Sequence, residues 1–254
     1  MNTRTLVAVL IAAAATSGAG AAGPEPATVT FTAKDGLEVT ADLYLAHPPS
    51  APLIILFHMA NSSRGEYRLI APRLNKLGFN ALAVDQRSGR TSSGIVNETA
   101  ARAKKAKLKA NYLDARPDLE AAIAYARATY APAKLLIWGS SYSSSLVLVL
   151  AGEEPGLCDA VLSFSPGEYF EGGGYVAAKA AGIGVPVFLT SASYEAAEWK
   201  GIAEAITAPG KVAFVPKAQG AHGSPALWPD TDGYKEYWKA LEPFLKAVLK
   251  GTAP

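Results

Sequence analysis

The chain has 254 residues, of which 50% are hydrophobic and 18% are charged, a balance typical of a globular protein and not of a disordered or collagen-like one. Its 24 Lys and Arg residues against 22 Asp and Glu give a net charge of +2, which argues against a dedicated nucleic-acid-binding protein. A single cysteine, Cys158, excludes an intramolecular disulfide framework and a cysteine-based zinc site, and three histidines without an H-E-x-x-H pattern exclude a zincin-type metal site.

The first 21 residues have the layout of a secretory signal peptide. A short positive region, Asn2–Arg4, precedes an unbroken apolar run, Leu6–Ala15, and Ala19-Gly20-Ala21 then offers a cleavage site. The apolar run is too short for a membrane-spanning helix, and no cysteine follows it as a bacterial lipoprotein would require. We therefore expect export to the periplasm or outside the cell, with no stable membrane anchor after cleavage. An uncleaved anchor is the alternative.

Two strands and a turn open the expected mature chain. Thr28–Thr32 and Leu37–Leu45 flank Asp35-Gly36, a dipeptide suited to a hairpin turn. Beyond this hairpin, short apolar runs recur, each followed by a segment of helical length. Runs without alternation fit strands buried on both faces, which predicts a mostly parallel sheet with helices on both sides. The predicted strands are Leu53–Phe57, Asn80–Val84, Lys134–Trp138, Asp159–Phe164, Pro186–Thr190 and Lys211–Val215.

Apolar residues at helical spacing predict helices over Arg64–Leu77, Asn111–Tyr130 and Tyr234–Lys250. No internal repeat and no interdomain linker interrupts the pattern, so residues 22–254 are predicted to form a single α/β domain. The only charge run, Arg102–Lys109, is interpreted as a solvated helix face or loop, with an anion-binding surface as the alternative.

The segment Leu135–Leu150 carries the strongest chemical signal. An apolar strand runs into a turn of very small residues and then into a strongly apolar helix, which is the form of the nucleophile elbow of hydrolases. The turn is so tight that the residues two before and two after the nucleophile must be small.

That steric rule selects one serine from the run. Ser140 would have Trp138 two places before it, whereas Ser141 has Gly139 before and Ser143 after. Ser143 also has small neighbours but lies deeper in the helix. We therefore predict Ser141 as the nucleophile, although a serine stands where G-x-S-x-G has its second glycine.

A serine hydroxyl needs a neighbouring base, and the base needs a carboxylate that fixes its tautomer. His222 is the predicted base because it follows the last predicted strand between small residues. His47 and His58 are interpreted as structural. The chain order of the elbow fold is serine, then acid, then histidine. Glu195, in the loop after the predicted strand Pro186–Thr190, is favoured as the acid, and Glu168, after the preceding strand, is the rival.

Two backbone N–H groups are expected to form an oxyanion hole. One is that of Tyr142, the residue after the nucleophile. The other belongs to the loop after Leu53–Phe57, where Ala60 is favoured and Met59 is second.

These segments together resemble the α/β-hydrolase family, nearest its dienelactone-hydrolase-like esterase branch. Met59 stands where the family commonly has glycine, so the shape of the oxyanion loop is not carried over. Ser141 stands where dienelactone hydrolases have a catalytic cysteine, so their substrate is not carried over either. The matching pieces are Leu56–Ser63, Val84–Gly89, the Ser141 elbow, Pro186–Glu195 and Gly220–Gly223.

The resemblance implies an α/β-hydrolase fold and a serine esterase that acts through an acyl-enzyme, with no metal or organic cofactor. The expected partner is a small-molecule ester, with no nucleic acid. Only Ser165–Gly184 is available as a cap, so the site is expected to be open and to prefer short acyl groups. A peptidase or other acyl-transfer enzyme on the same triad, or a binding protein without activity, is the alternative. Candidate pocket walls are Tyr169, Phe170, Tyr194 and Trp228.

Export gives the first testable prediction. N-terminal sequencing of the protein from the envelope fraction of its native cells should find a chain that begins near residue 22, because signal peptidase would cut after Ala21. A soluble cytoplasmic protein that retains Met1 would contradict the signal-peptide interpretation.

Overall fold

The computed structural model describes residues 25–170 and 172–252, and the predicted signal peptide lies outside them. Ten strands occur in these ranges. Their bounds are β1 (Ala27–Thr32), β2 (Glu38–Tyr44), β3 (Leu53–Phe57), β4 (Asn80–Val84), β5 (Thr91–Ser92), β6 (Ile95–Val96), β7 (Leu135–Ser140), β8 (Ala160–Phe164), β9 (Val187–Thr190) and β10 (Val212–Phe214).

Seven α-helices lie between or after these strands in the described ranges. None of these helices is both long enough and apolar enough to span a bilayer. Their bounds are α1 (Ala71–Lys76), α2 (Glu98–Lys105), α3 (Arg116–Tyr130), α4 (Tyr142–Glu153), α5 (Tyr175–Ala180), α6 (Lys200–Ala205) and α7 (Tyr234–Lys250).

Eight of the strands form one sheet in the order β1-β2-β4-β3-β7-β8-β9-β10, and β5 pairs separately with β6. Strand β2 is antiparallel to both β1 and β4, whereas all other neighbours in the large sheet are parallel. The chain passes from β3 to β4 on one side and later to β7 on the other side of β3. Loops that leave β3 and β7 therefore diverge and open a crevice at the carboxyl ends of these strands.

Both faces of the sheet are buried. In β3, Ile55 and Phe57 pack on one face, while Ile54 and Leu56 pack on the other, because successive side chains of a strand alternate. Helices α3 to α6 contribute to the first of these hydrophobic clusters, and α1 and α7 contribute to the second. A strand that is covered on both sides has no polar face, which explains the unbroken apolar runs of the sequence.

The predicted strands agree with the structure to within two residues at either end, but two predicted helices are shorter than expected. Arg64–Leu77 and Asn111–Tyr130 each begin with a short 3-10 turn, and the α-helix starts only afterwards. Pro72 and Pro117 lie in the first turns of α1 and α3. Proline has no N–H to donate and fits the start of a helix, so it fixes where each helix begins.

The charge run Arg102–Lys109 spans the end of α2 and the loop after it. Its four lysines are exposed and form no ion pair with another described residue. This arrangement agrees with the interpretation of the charge run as a solvated helix face or loop.

Helices α4 and α5 pack so closely that there is no room for a side chain at Gly152, where a Cβ would collide with the backbone of Lys179. We expect Gly152→Ala to lower the free energy of unfolding by about 1–3 kcal/mol, although alanine is the better helix former. The matched control is Gly201→Ala in α6, where a Cβ would meet no atom of residues 25–170 and 172–252 within 4 Å. This control should be neutral or stabilising by up to about 1 kcal/mol. Urea denaturation measures both variants, and equal stabilities would contradict the close-packing argument.

Candidate active site

Ser141 lies in the turn between β7 and α4, at the carboxyl edge of the sheet. Its backbone has φ +58° and ψ −126°, a conformation that side-chain-bearing residues rarely adopt and that costs of order 1–3 kcal/mol. Such a conformation persists only where the surrounding structure enforces it. Here the sharp turn from strand to helix does so.

The turn needs a residue without a side chain at position 139. A Cβ on Gly139 would collide with the backbone of Ser143 and Ser144. The side chain of Ser143 points elsewhere: its Oγ donates to the carbonyl oxygen of His58 at 2.6 Å and accepts from Gln86 Nε2 at 2.6 Å. The serine that departs from the G-x-S-x-G pattern therefore ties the elbow to the loop after β3.

Ser141, His222 and Glu195 form a continuous chain of hydrogen bonds. Ser141 Oγ donates to His222 Nε2 at 2.8 Å, and His222 Nδ1 donates to Glu195 Oε1 at 2.5 Å when the ring carries its proton on Nδ1. Neither neighbouring serine makes this contact. Ser140 Oγ instead accepts from the backbone N–H of Ser224 at 2.8 Å.

Ser165 connects the loops that carry Glu195 and His222. Its Oγ donates to Glu195 Oε2 at 2.7 Å and accepts from the backbone N–H of Gly223 at 2.8 Å. Gly223 comes so close to Ser140 that a Cβ on this glycine would collide with Ser140 Oγ. The absence of a side chain at Gly223 therefore lets the histidine loop lie against the elbow.

The pKa shifts of this pair follow from its contacts. The hydrogen bond with Glu195 raises the pKa of His222, and burial of the ring opposes this only in part. Burial disfavours the ionised form of Glu195, but hydrogen bonds from His222 and Ser165 outweigh it and hold the pKa of this carboxyl below its ordinary value. Both shifts favour an imidazolium beside a carboxylate, which is the charge distribution after a proton has moved from serine to histidine.

The carboxylate and the two histidines that were weighed against Glu195 and His222 make contacts outside this hydrogen-bonded chain. Glu168 accepts the backbone N–H groups of Val176 and Ala177, at 2.7 and 2.9 Å, and so binds the start of α5. His58 is fully buried, and burial lowers its pKa to about 4. His47 Nε2 contacts the carbonyl oxygen of Asn75 at 2.7 Å.

No group of three or more His, Cys, Asp or Glu within residues 25–170 and 172–252 is placed to hold a metal ion.

The backbone N–H groups of Met59 and Ala60, in the loop after β3, differ in whether they already have an acceptor. The N–H of Met59 donates to Glu66 Oε2 at 3.0 Å, whereas that of Ala60 donates to no described residue. Tyr142 is the first residue of α4, where a helix leaves its N–H groups without intrahelical partners. Ala60 and Tyr142 are therefore available as donors to an oxygen above Ser141, and Met59 is not.

An open groove lies next to Tyr142, the residue after the nucleophile, on whose ring the lining residue Tyr112 stacks. Its volume is about 340 Å³, and Tyr169, Phe170, Tyr112 and Leu113 line it. The Tyr169 hydroxyl donates to the carbonyl oxygen of Ser165 at 2.9 Å, and its proximity to Ser141 links the groove to the elbow. Of the other expected pocket walls, Tyr194 is 61% exposed and Trp228 donates from Nε1 to the carbonyl oxygen of Glu66.

Three residues of the site were missed from the sequence. They are Ser165 and Glu66, which support the loops, and Tyr112, whose ring stacks on Tyr142 with centroids 4.6 Å apart. None belongs to a motif, and Ser165 and Tyr112 contact residues far away in the chain. Glu66 lies near the start of the predicted helix Arg64–Leu77, seven residues after Met59, and this proximity was the one positional signal among the three.

The described fold is similar to solved hydrolase structures. The esterase Pf2001 of Pyrococcus furiosus has 19% identity and a TM-score of 0.69, covering 89% of this chain and 93% of that one. A dienelactone hydrolase from Anabaena variabilis has 16% identity and a TM-score of 0.65, covering 88% and 98%. Est1E from Butyrivibrio proteoclasticus, solved with ferulic acid bound, has 15% identity and a TM-score of 0.61, covering 85% and 97%.

No protein-family model and no curated protein matches the chain. At identities this low, structural similarity shows a common fold and leaves the activity to be argued from the site. The architecture agrees with these structures as well: a mostly parallel eight-stranded sheet is covered by helices on both faces. The fold predicted from the sequence is confirmed, and the chain has the α/β-hydrolase fold.

Proposed function

We propose that this chain is an exported serine hydrolase that cleaves carboxylic esters through an acyl-enzyme. The observation that carries the proposal is the hydrogen-bonded chain from Ser141 through His222 to Glu195. It lies at the carboxyl edge of the sheet, where α/β folds bind ligands. Export depends on the N-terminal sequence alone.

In the proposed reaction, Ser141 Oγ attacks the ester carbonyl carbon and its proton passes to His222 Nε2. The N–H groups of Ala60 and Tyr142 stabilise the oxyanion of the tetrahedral intermediate, and Glu195 stabilises the imidazolium. The intermediate collapses, the alkoxide leaves with the proton from His222, and the acyl group stays on Ser141. Water then attacks the acyl-enzyme with His222 as base, which releases the acid and restores the serine.

The similar structures named above favour an ester as substrate, because they include an esterase and a dienelactone hydrolase. The site itself favours an enzyme over a binding protein. A non-catalytic binding protein of the same fold would have no need for the strained backbone of Ser141 or for a histidine held between a serine and a carboxylate. A peptidase on the same residues is the alternative, and an aminopeptidase substrate assayed beside the esters would reveal it.

The decisive prediction concerns Ser141 and its acid. Ser141→Ala should abolish both hydrolysis of p-nitrophenyl acetate and labelling by a fluorophosphonate probe, because no nucleophile remains. Glu195→Gln should lower kcat by roughly 10³–10⁴, as removal of a triad carboxylate does. Circular dichroism should show that both variants remain folded.

Glu168→Gln is the matched control, since Glu168 binds the start of α5 and does not contact His222. Its kcat should stay close to that of the wild type. Probe labelling at Ser140 or Ser143, or a loss of activity in Glu168→Gln with little loss in Glu195→Gln, would refute the assignment.

The short cap predicts the acyl preference. Within the segment Ser165–Gly184 the described residues form a single helix, α5, which packs on α4 and contributes no residue to the lining of the groove. The groove next to Tyr142 is open, whereas burial of a long acyl chain needs a cavity walled on most sides. The kcat/KM of p-nitrophenyl esters should therefore fall from acetate or butyrate towards palmitate. A profile that rises towards palmitate would contradict the open site.

A further inference from the structure

We propose that Glu66 is a positioning residue of the oxyanion loop, whose carboxylate holds the Met59 peptide so that the next N–H, that of Ala60, faces the substrate. The inference rests on the proposed function, because it assigns Glu66 a part in stabilising the tetrahedral intermediate. Glu66 is completely buried, so it cannot touch a substrate itself. Its effect must pass through the residues that it contacts.

The main contact of the Glu66 side chain is with the loop itself. Glu66 Oε2 accepts the backbone N–H of Met59 at 3.0 Å. This bond fixes the orientation of the peptide immediately before Ala60, whose own N–H has no partner among the described residues. An oxyanion hole works only when its donors already point at the place where charge develops. A fixed Met59 peptide supplies that alignment.

Glu66 also lies between the loop and the rest of the site. Hydroxyls of Ser140 and Ser62 are near its carboxylate, although Glu66 Oε1 makes no hydrogen bond of good geometry. Ser140 directly precedes the nucleophile and accepts the N–H of Ser224 from the histidine loop at 2.8 Å. Trp228 Nε1 donates to the backbone carbonyl of Glu66 at 3.0 Å. The residue therefore sits where the oxyanion loop, the elbow and the histidine loop meet.

No lysine or arginine among the described residues pairs with the buried carboxyl of Glu66, and the charge of His222, which does not contact it, is the weakest of the influences that lower its pKa. Two other carboxylates are as fully buried, and each has an arginine: Asp85 lies 2.6 Å from Arg64, and Asp118 lies 2.7 Å from Arg87. Glu66 forms no ion pair with any residue of the described ranges, and burial raises its pKa. A buried carboxyl without a cation destabilises a fold. A group kept at such a cost beside a reacting centre is expected to serve the reaction.

Three substitutions of Glu66 separate the effect of side-chain length from the effect of charge. Glu66→Gln keeps the length and an oxygen that can accept the Met59 N–H, but loses the charge. Glu66→Asp keeps the charge but withdraws the oxygen by one methylene. Glu66→Met keeps the length and removes every acceptor. The control is Asp159→Asn: Asp159 accepts the N–H of Leu135 at 2.7 Å at the start of β7, at the opposite edge of the sheet.

The assay is hydrolysis of p-nitrophenyl acetate, with phenylboronic acid as a probe that forms a tetrahedral adduct on serine. Loss of one oxyanion donor costs about 10²–10³ in kcat, so a misaligned donor should cost roughly 10–100-fold. We expect that loss in kcat and in boronate affinity for Glu66→Met and Glu66→Asp, with KM nearly unchanged. The kcat and the boronate affinity of Glu66→Gln should stay within about fivefold of the wild-type values. The melting temperature of Glu66→Met should be unchanged or higher, and Asp159→Asn should keep its kcat.

Each other result overturns the inference. If Glu66→Asp is active and Glu66→Gln is not, the charge and not the hydrogen bond matters. If both Glu66→Met and Glu66→Asp keep kcat and boronate affinity, or lose activity only in proportion to a loss of folded protein, Glu66 is merely structural. If the wild type neither hydrolyses esters nor reacts with fluorophosphonate at Ser141, the proposed function fails and this inference fails with it. An active wild type with active variants refutes the inference alone.

Discussion

The arrangement of the site depends on the contact between the backbones of Gly139 and Ser143 across the turn that follows β7. This contact allows the chain to reverse from strand to helix within a few residues. It forces Ser141 into its strained conformation and leaves the Ser141 hydroxyl facing the crevice. The strain is small beside the burial of β7 and α4, all of whose central residues are buried. The hydrophobic sheet and helix thus hold a turn that would not persist alone.

A sheet that is buried on both faces leaves only its edges and ends for polar chemistry. Loops from β3, β4, β7, β8, β9 and β10 converge at the carboxyl end, and their polar groups must find partners there because little water reaches them. Ser143, Gln86 and Ser165 meet this demand with short hydrogen bonds between loops. The same bonds fix the distances between Ser141, His222 and Glu195. Satisfying buried polar groups and preorganising a site are here one and the same physical requirement.

The buried carboxylates show how differently acidic groups are used in one fold. Asp85 and Asp118 each contact a buried arginine and link segments at the carboxyl end of the sheet. Glu195 contacts a histidine that can gain a proton. Glu66 has backbone and hydroxyl donors near its carboxyl group and forms no ion pair with a described residue. The charge that each carboxylate faces therefore separates structural ion pairs from groups that are placed for a reaction.

The sequence by itself determined the features that carry a local or periodic signal. Unbroken apolar runs located the strands, because a strand covered on both faces needs no polar positions. Small residues around Ser141 selected one serine from a run of them, because the turn excludes a bulky neighbour such as Trp138. The position of His222 after the last predicted strand identified it as the base.

Only the tertiary structure decided which side chains meet. Glu168 and Glu195 both follow parallel strands whose ends lie at the same edge, so the sequence favoured Glu195 but left Glu168 as a rival. Glu195 lies against His222, whereas Glu168 is held by the N–H groups at the start of α5, a helix without a clear sequence signal. Met59 and Ala60 were likewise separated only when Glu66 was seen to occupy the Met59 N–H. Contacts of this kind depend on where loops fold back in space, and a hydrogen bond between distant residues leaves no periodicity in the chain.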